Sequence, residues 1–221
     1  MGTTNLTAKG VEVLPAVLVK TREELISAIS RVTPYVKTIH IDVMDNEFVP
    51  NLTVGLDALK PLPQGVKYEF HWMVKNPEKW IREIKGPNIH LVHIETINAN
   101  WELIKKEVKE AHGKLGLAIN PETPLEKILP YAKDVERILV MSVHPGFSGQ
   151  KYIKEVEEKI SFLRGRFPSL SIEIDGGINS ETAASAIRAG VDKIAAASAI
   201  FSAENVGEAI EKLKKAGAHA Q

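Results

Sequence analysis

Leu14-Pro15-Ala16-Val17-Leu18-Val19 ends the first β-branched run of the chain, and the way the sequence leaves it separates two folds. An open, doubly wound α/β sheet normally turns out of its first strand through Gly-x-Gly-x-x-Gly, where the glycines let the backbone approach a pyrophosphate. No glycine stands here, and the run passes straight into Lys20-Thr21-Arg22. This first run spans 11–19. Working outward, seven more of the same kind read as strands, at 36–42, 67–72, 89–94, 114–119, 137–143, 170–175 and 193–197. Between and after them, amphipathic stretches read as helices at 22–33, 56–60, 77–84, 100–111, 125–131, 155–166, 180–189 and 205–215. Eight strands, each followed by a helix, in 221 residues is the sequence form of a single (β/α)8 TIM barrel.

Composition agrees with one enzyme-sized globular domain: 44% of residues are hydrophobic and 25% charged. Residues 11–221 read as that domain, and 1–10 as an N-terminal extension that is a candidate for disorder. Lys plus Arg number 28 and Asp plus Glu number 28, so no net field exists to hold nucleic acid or a membrane surface. The chain has no cysteine, which excludes disulfides, a thiolate nucleophile and thiolate metal ligands. Any metal would be held by His, Asp and Glu. The opening Met-Gly-Thr-Thr-Asn-Leu-Thr-Ala-Lys-Gly lacks an apolar signal core, and no stretch approaches the ~20 apolar residues of a membrane span. A cytoplasmic address is therefore expected, and the Asn-x-Thr triplets at Asn5 and Asn51 are set aside as glycosylation sites.

In a barrel, the strand ends at one rim converge, and buried unpaired charge there is costly. The second strand ends Ile39-His40-Ile41-Asp42-Val43-Met44-Asp45, and the two-residue period of a strand puts His40, Asp42 and Met44 on one face. The third ends Phe70-His71-Trp72-Met73 and the seventh Ile174-Asp175-Gly176-Gly177. Two imidazoles and two carboxylates at one rim make an N2O2 set that suits one divalent Zn, Fe, Mn or Co ion better than Ca or Mg. A hydrogen-bonded network without metal is the plainer reading of any one of these residues, and the weaker reading of all four together.

Glycine-rich loops form a second group. Gly146-Phe147-Ser148-Gly149 follows the sixth strand, Gly176-Gly177 the seventh, and Ala197-Ser198 the eighth. Free backbone N–H groups in such turns bind phosphate, although any one glycine pair is more often simply a tight turn. His93 and Glu95 share a face at the fourth strand end, and Glu69 and Glu173 each stand two residues before a proposed ligand. These four read either as partners orienting the ligands or as interior filling. His90, His112 and His219 read as solvated, and Trp72, Trp80 and Trp101 as packing residues.

The motifs together resemble the ribulose-phosphate 3-epimerase family: His40-Ile-Asp-Val-Met-Asp-Asn-Glu-Phe-Val-Pro-Asn51, His71-Trp-Met-Val74, Asn120-Pro-Glu-Thr-Pro124, Val140-Met-Ser-Val-His-Pro-Gly-Phe-Ser-Gly-Gln150 and Ile174-Asp-Gly-Gly-Ile178. The resemblance runs from about residue 11 to 215. It implies a cytoplasmic, metal-dependent isomerase of carbohydrate metabolism that epimerises D-ribulose 5-phosphate to D-xylulose 5-phosphate through an enediolate. It further implies that His40, Asp42, His71 and Asp175 hold the metal and that Asp42 and Asp175 are the acid/base pair. Met44, Met73 and Met141 would line the reacting carbons, and Gly146 to Gly149, Gly177 and the Ala197-Ser198 amides would take the phosphate.

Three positions depart from the family pattern. Ala16 stands where the family usually has Ser, Asn46 where it has Gly, and Ala197 where it has Gly. The same chemistry on the six-carbon D-allulose 6-phosphate is the nearest alternative, and a weakly active or inactive phosphosugar-binding barrel the alternative from another class. Related barrels that decarboxylate or condense sugar phosphates carry Asp-x-Lys-x-x-Asp, whereas Asp42-x-Met44 supplies no such lysine. The outer helices leave room for a homo-oligomer, dimer or hexamer.

Overall fold

A computed structural model describes residues 10–217. His219 and all of the 1–10 extension except Gly10 lie outside them. Eight parallel strands close into one barrel in chain order: β1 (Glu12–Val17), β2 (Thr38–Met44), β3 (Lys67–Met73), β4 (Ile89–His93), β5 (Lys114–Ile119), β6 (Arg137–Met141), β7 (Ser171–Asp175) and β8 (Lys193–Ala196). The ring closes where β1 pairs with β8, Glu12 opposite Lys193, and with β2, Ala16 opposite His40. Parallel neighbours need crossovers, most of which contain helices: α1 (Arg22–Val32), α2 (Pro77–Ile81), α3 (Trp101–Glu110), α4 (Val156–Arg166) and α5 (Ser180–Ala189), with α6 (Ser198–Phe201) and α7 (Val206–Lys215) following β8.

Strand alternation sorts the side chains. Ile39, Ile41 and Val43 of β2 and Phe70 and Trp72 of β3 face outward and pack with Leu25 and Ile29 of α1 and Ile160 and Leu163 of α4 in the main apolar core. Trp101 and the partly buried Trp80 belong to the same packing. The entry to α1 is fixed by a capping box in which Thr21 and Glu24 satisfy each other's backbone N–H.

Three expected helices are corrected. Residues 56–60 form turns only, with Ala58 and Leu59 N–H reaching three residues back to Gly55 and Leu56. Pro61 and Pro63 follow too soon for an α-helix to grow from them. Residues 125–131 break into two 3-10 turns, because Pro130 has no N–H to offer a preceding carbonyl. The 77–84 helix ends at Ile81, and 3-10 bonds from Glu83 and Ile84 finish it. Neither β2 nor β5 is therefore followed by an α-helix. The 137–143 strand stops at Met141.

One half of the barrel interior is apolar, filled by Ile89, Leu91, Ala118, Leu139 and Met141. The other half is charged: Glu69 and Glu173, which the sequence offers as ligand-orienting partners or interior filling, meet there residues it does not single out. Arg137 of β6 donates to Glu69 of β3 and, at 2.9 Å, to Glu173 of β7, all three side chains being buried. Lys193 of β8 pairs with Glu12 of β1, which also accepts from Thr38 of β2 at 2.8 Å. Two buried carboxylates side by side would repel; the guanidinium between them offsets that cost.

Candidate active site

His40 and Asp42 from β2, His71 from β3 and Asp175 from β7 meet at the C-terminal mouth of the barrel. One nitrogen or oxygen from each lies within 4.8 Å of the others. Register explains the meeting, since Asp42 is paired with His71, and Met44 with Met73, across β2 and β3. Both imidazoles are fully buried.

Proton accounting shows what this cluster lacks. His40 Nδ1 is partnered by Glu69 Oε1 at 2.8 Å, so Nε2 is the ring atom turned toward the cluster. That nitrogen is buried without a hydrogen-bond partner, 3.3 Å from Asp42 Oδ1. His71 Nδ1 lies 2.9 Å from the same Asp42 oxygen and 3.8 Å from Asp175 Oδ2. On its far side, His71 Nε2 is 2.8 Å from His93 Nε2, and His93 Nδ1 is 3.1 Å from Glu95 Oε2. Acceptor atoms thus crowd one point, and only protons or a cation can hold them there. The donor set and the partnerless nitrogen fit a transition-type divalent ion.

The two carboxyls differ in charge state. Burial alone would raise Asp42, but hydrogen bonds from His40 and His71 outweigh it and hold Asp42 far below the carboxylate range. Burial, reinforced by the charge on Asp42, pushes Asp175 up to about 8. Asp42 is therefore ionised at neutral pH while Asp175 keeps a proton. Burial opposes a charge on His40, yet Asp42, Glu173 and Glu69 together raise it well above an ordinary histidine, whereas burial takes His71 down to about 4. Beneath them burial and Glu173 raise Glu69 to about 7; for Glu173 burial is overcome by His40 and Arg137, which lower it to about 2. His40, Glu69 and Glu173 also stand close enough to hold an ion, but Arg137 already occupies the cation's place.

Asp42 and Asp175 open into a cavity of about 390 Å³. Met44, Met73 and Met141 line it near the carboxyls, and Gly146, Phe147, Ser148, Gly149, Gly176, Gly177, Ala197 and Ser198 line the other end. His40 and His71 lie beneath it, and Ala16 borders an adjoining cavity that shares Ala197 and Ser198. The glycine pair has a packing reason of its own. A Cβ on Gly176, φ +115°, would come within 2.5 Å of Val143, and one on Gly177, φ +60°, within 2.6 Å of the Tyr152 backbone. The N–H groups of Gly149, Gly177 and Ser198 make no backbone hydrogen bond to any described residue. Asn46 takes the left-handed conformation, φ +59°, and Asn51 Nδ2 donates to Gly146 O at 2.6 Å, tying the β2 loop to the β6 loop.

His90 corrects a sequence expectation. It is buried on the outer face of β4, where its ring stacks against Phe70 and Trp72 and its Nδ1 accepts from Trp72 Nε1 at 3.1 Å. Strand phase is the cause, since Leu91 and His93 point inward and His90 must point at the helices. His112 is exposed, as expected.

Comparison with known proteins comes to the same place. The profile described as "Ribulose-phosphate 3 epimerase family" matches residues 12–201. The chain is 39% identical over 184 residues to the cytoplasmic isoform of ribulose-phosphate 3-epimerase of Oryza sativa subsp. japonica, covering 80% of this chain and 81% of that one. It is 36% identical over 193 residues to ribulose-phosphate 3-epimerase of Schizosaccharomyces pombe, covering 83% of each. Among solved structures, 3-hexulose-6-phosphate synthase from Salmonella typhimurium superposes with a TM-score of 0.69 over 95% of this chain and 100% of that one. At 16% identity that likeness speaks for the barrel alone.

Proposed function

This chain belongs to the ribulose-phosphate 3-epimerase family and is an isomerase, and on that premise we propose that it interconverts D-ribulose 5-phosphate and D-xylulose 5-phosphate by moving the proton on C3. The observation that carries the reading is the pair of carboxyls in opposite protonation states at one cavity, beside a buried imidazole nitrogen with no hydrogen-bond partner. Epimerisation needs that asymmetry, since one group must take a proton while another already holds one to give.

In this reading His40, Asp42, His71 and Asp175 would hold one divalent ion, which would supply Lewis-acid stabilisation of the negative charge that develops on the substrate. Asp42 takes the C3 proton from one face of the sugar. As the C3–H bond breaks, its electrons form the C2–C3 double bond and the carbonyl electrons move onto O2, giving a planar enediolate. Asp175 then delivers its proton to the opposite face of C3, and the carbonyl reforms. The two carboxyls have now exchanged states, so the reverse reaction begins with Asp175 as base. Met44, Met73 and Met141 give this end a buried, polarizable lining. The phosphate lies at the other end, on the loops of Gly146 to Gly149, Gly176 and Gly177, and Ala197 and Ser198, where free N–H groups orient it and hold C3 in place. The β2 and β6 loops, joined through Asn51, are the elements that close over the substrate. Residues 11–221 act as one catalytic domain, in the cytoplasm and as a homo-oligomer.

Incubation with D-ribulose 5-phosphate in heavy water tests the reading: deuterium at C3 and formation of the xylulose epimer are expected. Absence of exchange reduces the protein to a phosphosugar binder, and faster turnover of D-allulose 6-phosphate transfers the assignment to the six-carbon sugar. Metal analysis of the untreated protein is expected to find about one transition-type ion per chain, as the N2O2 donor set implies.

A further inference from the structure

The barrel interior beneath His40 is built around one arginine. Glu69 of β3 and Glu173 of β7 are both fully buried there, and each turns one oxygen to the same ring atom: Glu69 Oε1 lies 2.8 Å and Glu173 Oε1 3.4 Å from His40 Nδ1. Their other oxygens converge on Arg137 Nη1, which donates to both. The fold makes room for this guanidinium. Gly116 of β5 pairs with Arg137 of β6, and a Cβ on that glycine would come within 3.1 Å of Arg137 Cγ. Lys193, the other cation of the barrel interior, is taken by Glu12, so Arg137 is the fixed cation left for the two glutamates.

A metal ion could stand where this guanidinium does. His40, Glu69 and Glu173 offer one nitrogen and two oxygens within 4.8 Å of one another, enough donors to hold a divalent ion. Glu173 Oε1 is buried without a hydrogen-bond partner, so the set keeps acceptor capacity that the arginine does not use. An ion here would also draw on His40 Nδ1 and pull the ring away from Asp42 and His71. A guanidinium anchored on β6 takes the far oxygens and leaves the ring where it is.

We infer that Arg137 is a positioning residue that serves as a second, built-in cation: it holds Glu69 and Glu173 against His40 and keeps divalent ions out of this lower set, so that one ion is bound above it. The inference rests on the reading of His40, Asp42, His71 and Asp175 as the metal site. Removing the guanidinium should therefore open a second ion site, an effect that a purely packing role for Arg137 would not produce.

The test is titration of metal-free protein with Mn²⁺, the free ion being counted by its electron paramagnetic resonance signal. The wild type is expected to take about one ion per chain and Arg137→Ala about two. In Arg137→Ala/Glu173→Gln, which removes a carboxylate from the lower set, the count is expected to return to about one. Without metal, Arg137→Ala is expected to unfold at lower urea concentration than the wild type, and Mn²⁺ is expected to restore part of the difference. Should Arg137→Ala not fold, Arg137→Gln, which fills more of the space, is counted in the same way. Arg137 variants that take no more ions than the wild type overturn the inference, as do two ions in the wild type, a second ion that persists in the double variant, or failure of both single variants to fold in saturating Mn²⁺. A wild type that takes no ion, beside an Arg137→Ala that takes one and loses it again in the double variant, keeps the role of Arg137 and removes the upper metal site instead.

Discussion

The two ends of the cavity are built on opposite principles. At the carboxyl end, the proposed chemistry belongs to four side chains from three strands, and both imidazoles have a further side chain behind them, Glu69 at His40 and His93 at His71, with Arg137 behind Glu69 and Glu173. At the glycine end the groups proposed to act are backbone N–H, and side chains matter chiefly by being absent, as at Gly176 and Gly177. The first end depends on which atoms are present, the second on how closely the chain can pass itself. Substitutions should therefore fail in different ways at the two ends.

The largest effect is expected from Asp175→Asn, which keeps the shape and removes the proton carrier. Turnover should fall by about 10³- to 10⁴-fold with the thermal midpoint nearly unchanged, as steady-state assays and calorimetry would show. Near-normal activity would take Asp175 out of the mechanism. At the other end Gly177→Ala should act on folding, because a methyl at φ +60° meets the Tyr152 backbone. A loss of about 1–3 kcal/mol in urea unfolding is expected, with KM rising more than kcat falls. If kcat alone collapsed, the contrast between the two ends would be wrong.

Glu95 provides a pH test of the side-chain end. Burial raises its pKa, but bonds from His93, Thr123 and the Asn120 N–H prevail and lower it from 4.5 to about 2. A depressed carboxyl stabilises the fold above its unfolded pKa, and that contribution fades as pH falls from about 4.5 through 2. The wild type should thus exceed Glu95→Gln by on the order of 1–2 kcal/mol at pH 7 and lose that advantage near pH 2, measured by urea titrations across the range. The smallest effect is expected of Ala197→Gly. Ala197 has φ −99°, so glycine relieves no left-handed strain there, and KM should change by less than about threefold. A large drop in KM would mean that this methyl crowds the phosphate.

Legibility in the sequence followed the same division. His40 and Asp42 could be placed together because one strand carries both at a spacing of two, and Gly176 and Gly177 could be seen in a loop, although the contacts that demand them are made to residues 143 and 152. The charged interior was hidden. Arg137 and Lys193 open their strands, and only their even spacing from Leu139, Met141 and Ala195 marks them as inward. His90 was misplaced for the same want of phase, since a lone histidine in a buried strand takes its side from its neighbours. The absence of α-helix at 56–60 and 125–131 follows from Pro61, Pro63 and Pro130, which outweigh the apolar periodicity there.

The seam between β1 and β8, with Glu12 opposite Lys193, has a consequence for how the molecule is made. Every other strand pair joins consecutive strands, so a growing chain can add them as they leave the ribosome. β1 must wait with one flank exposed until residue 196 has emerged, and meanwhile offers an open edge to any other nascent chain. Synthesis is thus the period in which this barrel stands most in need of a chaperone's cover.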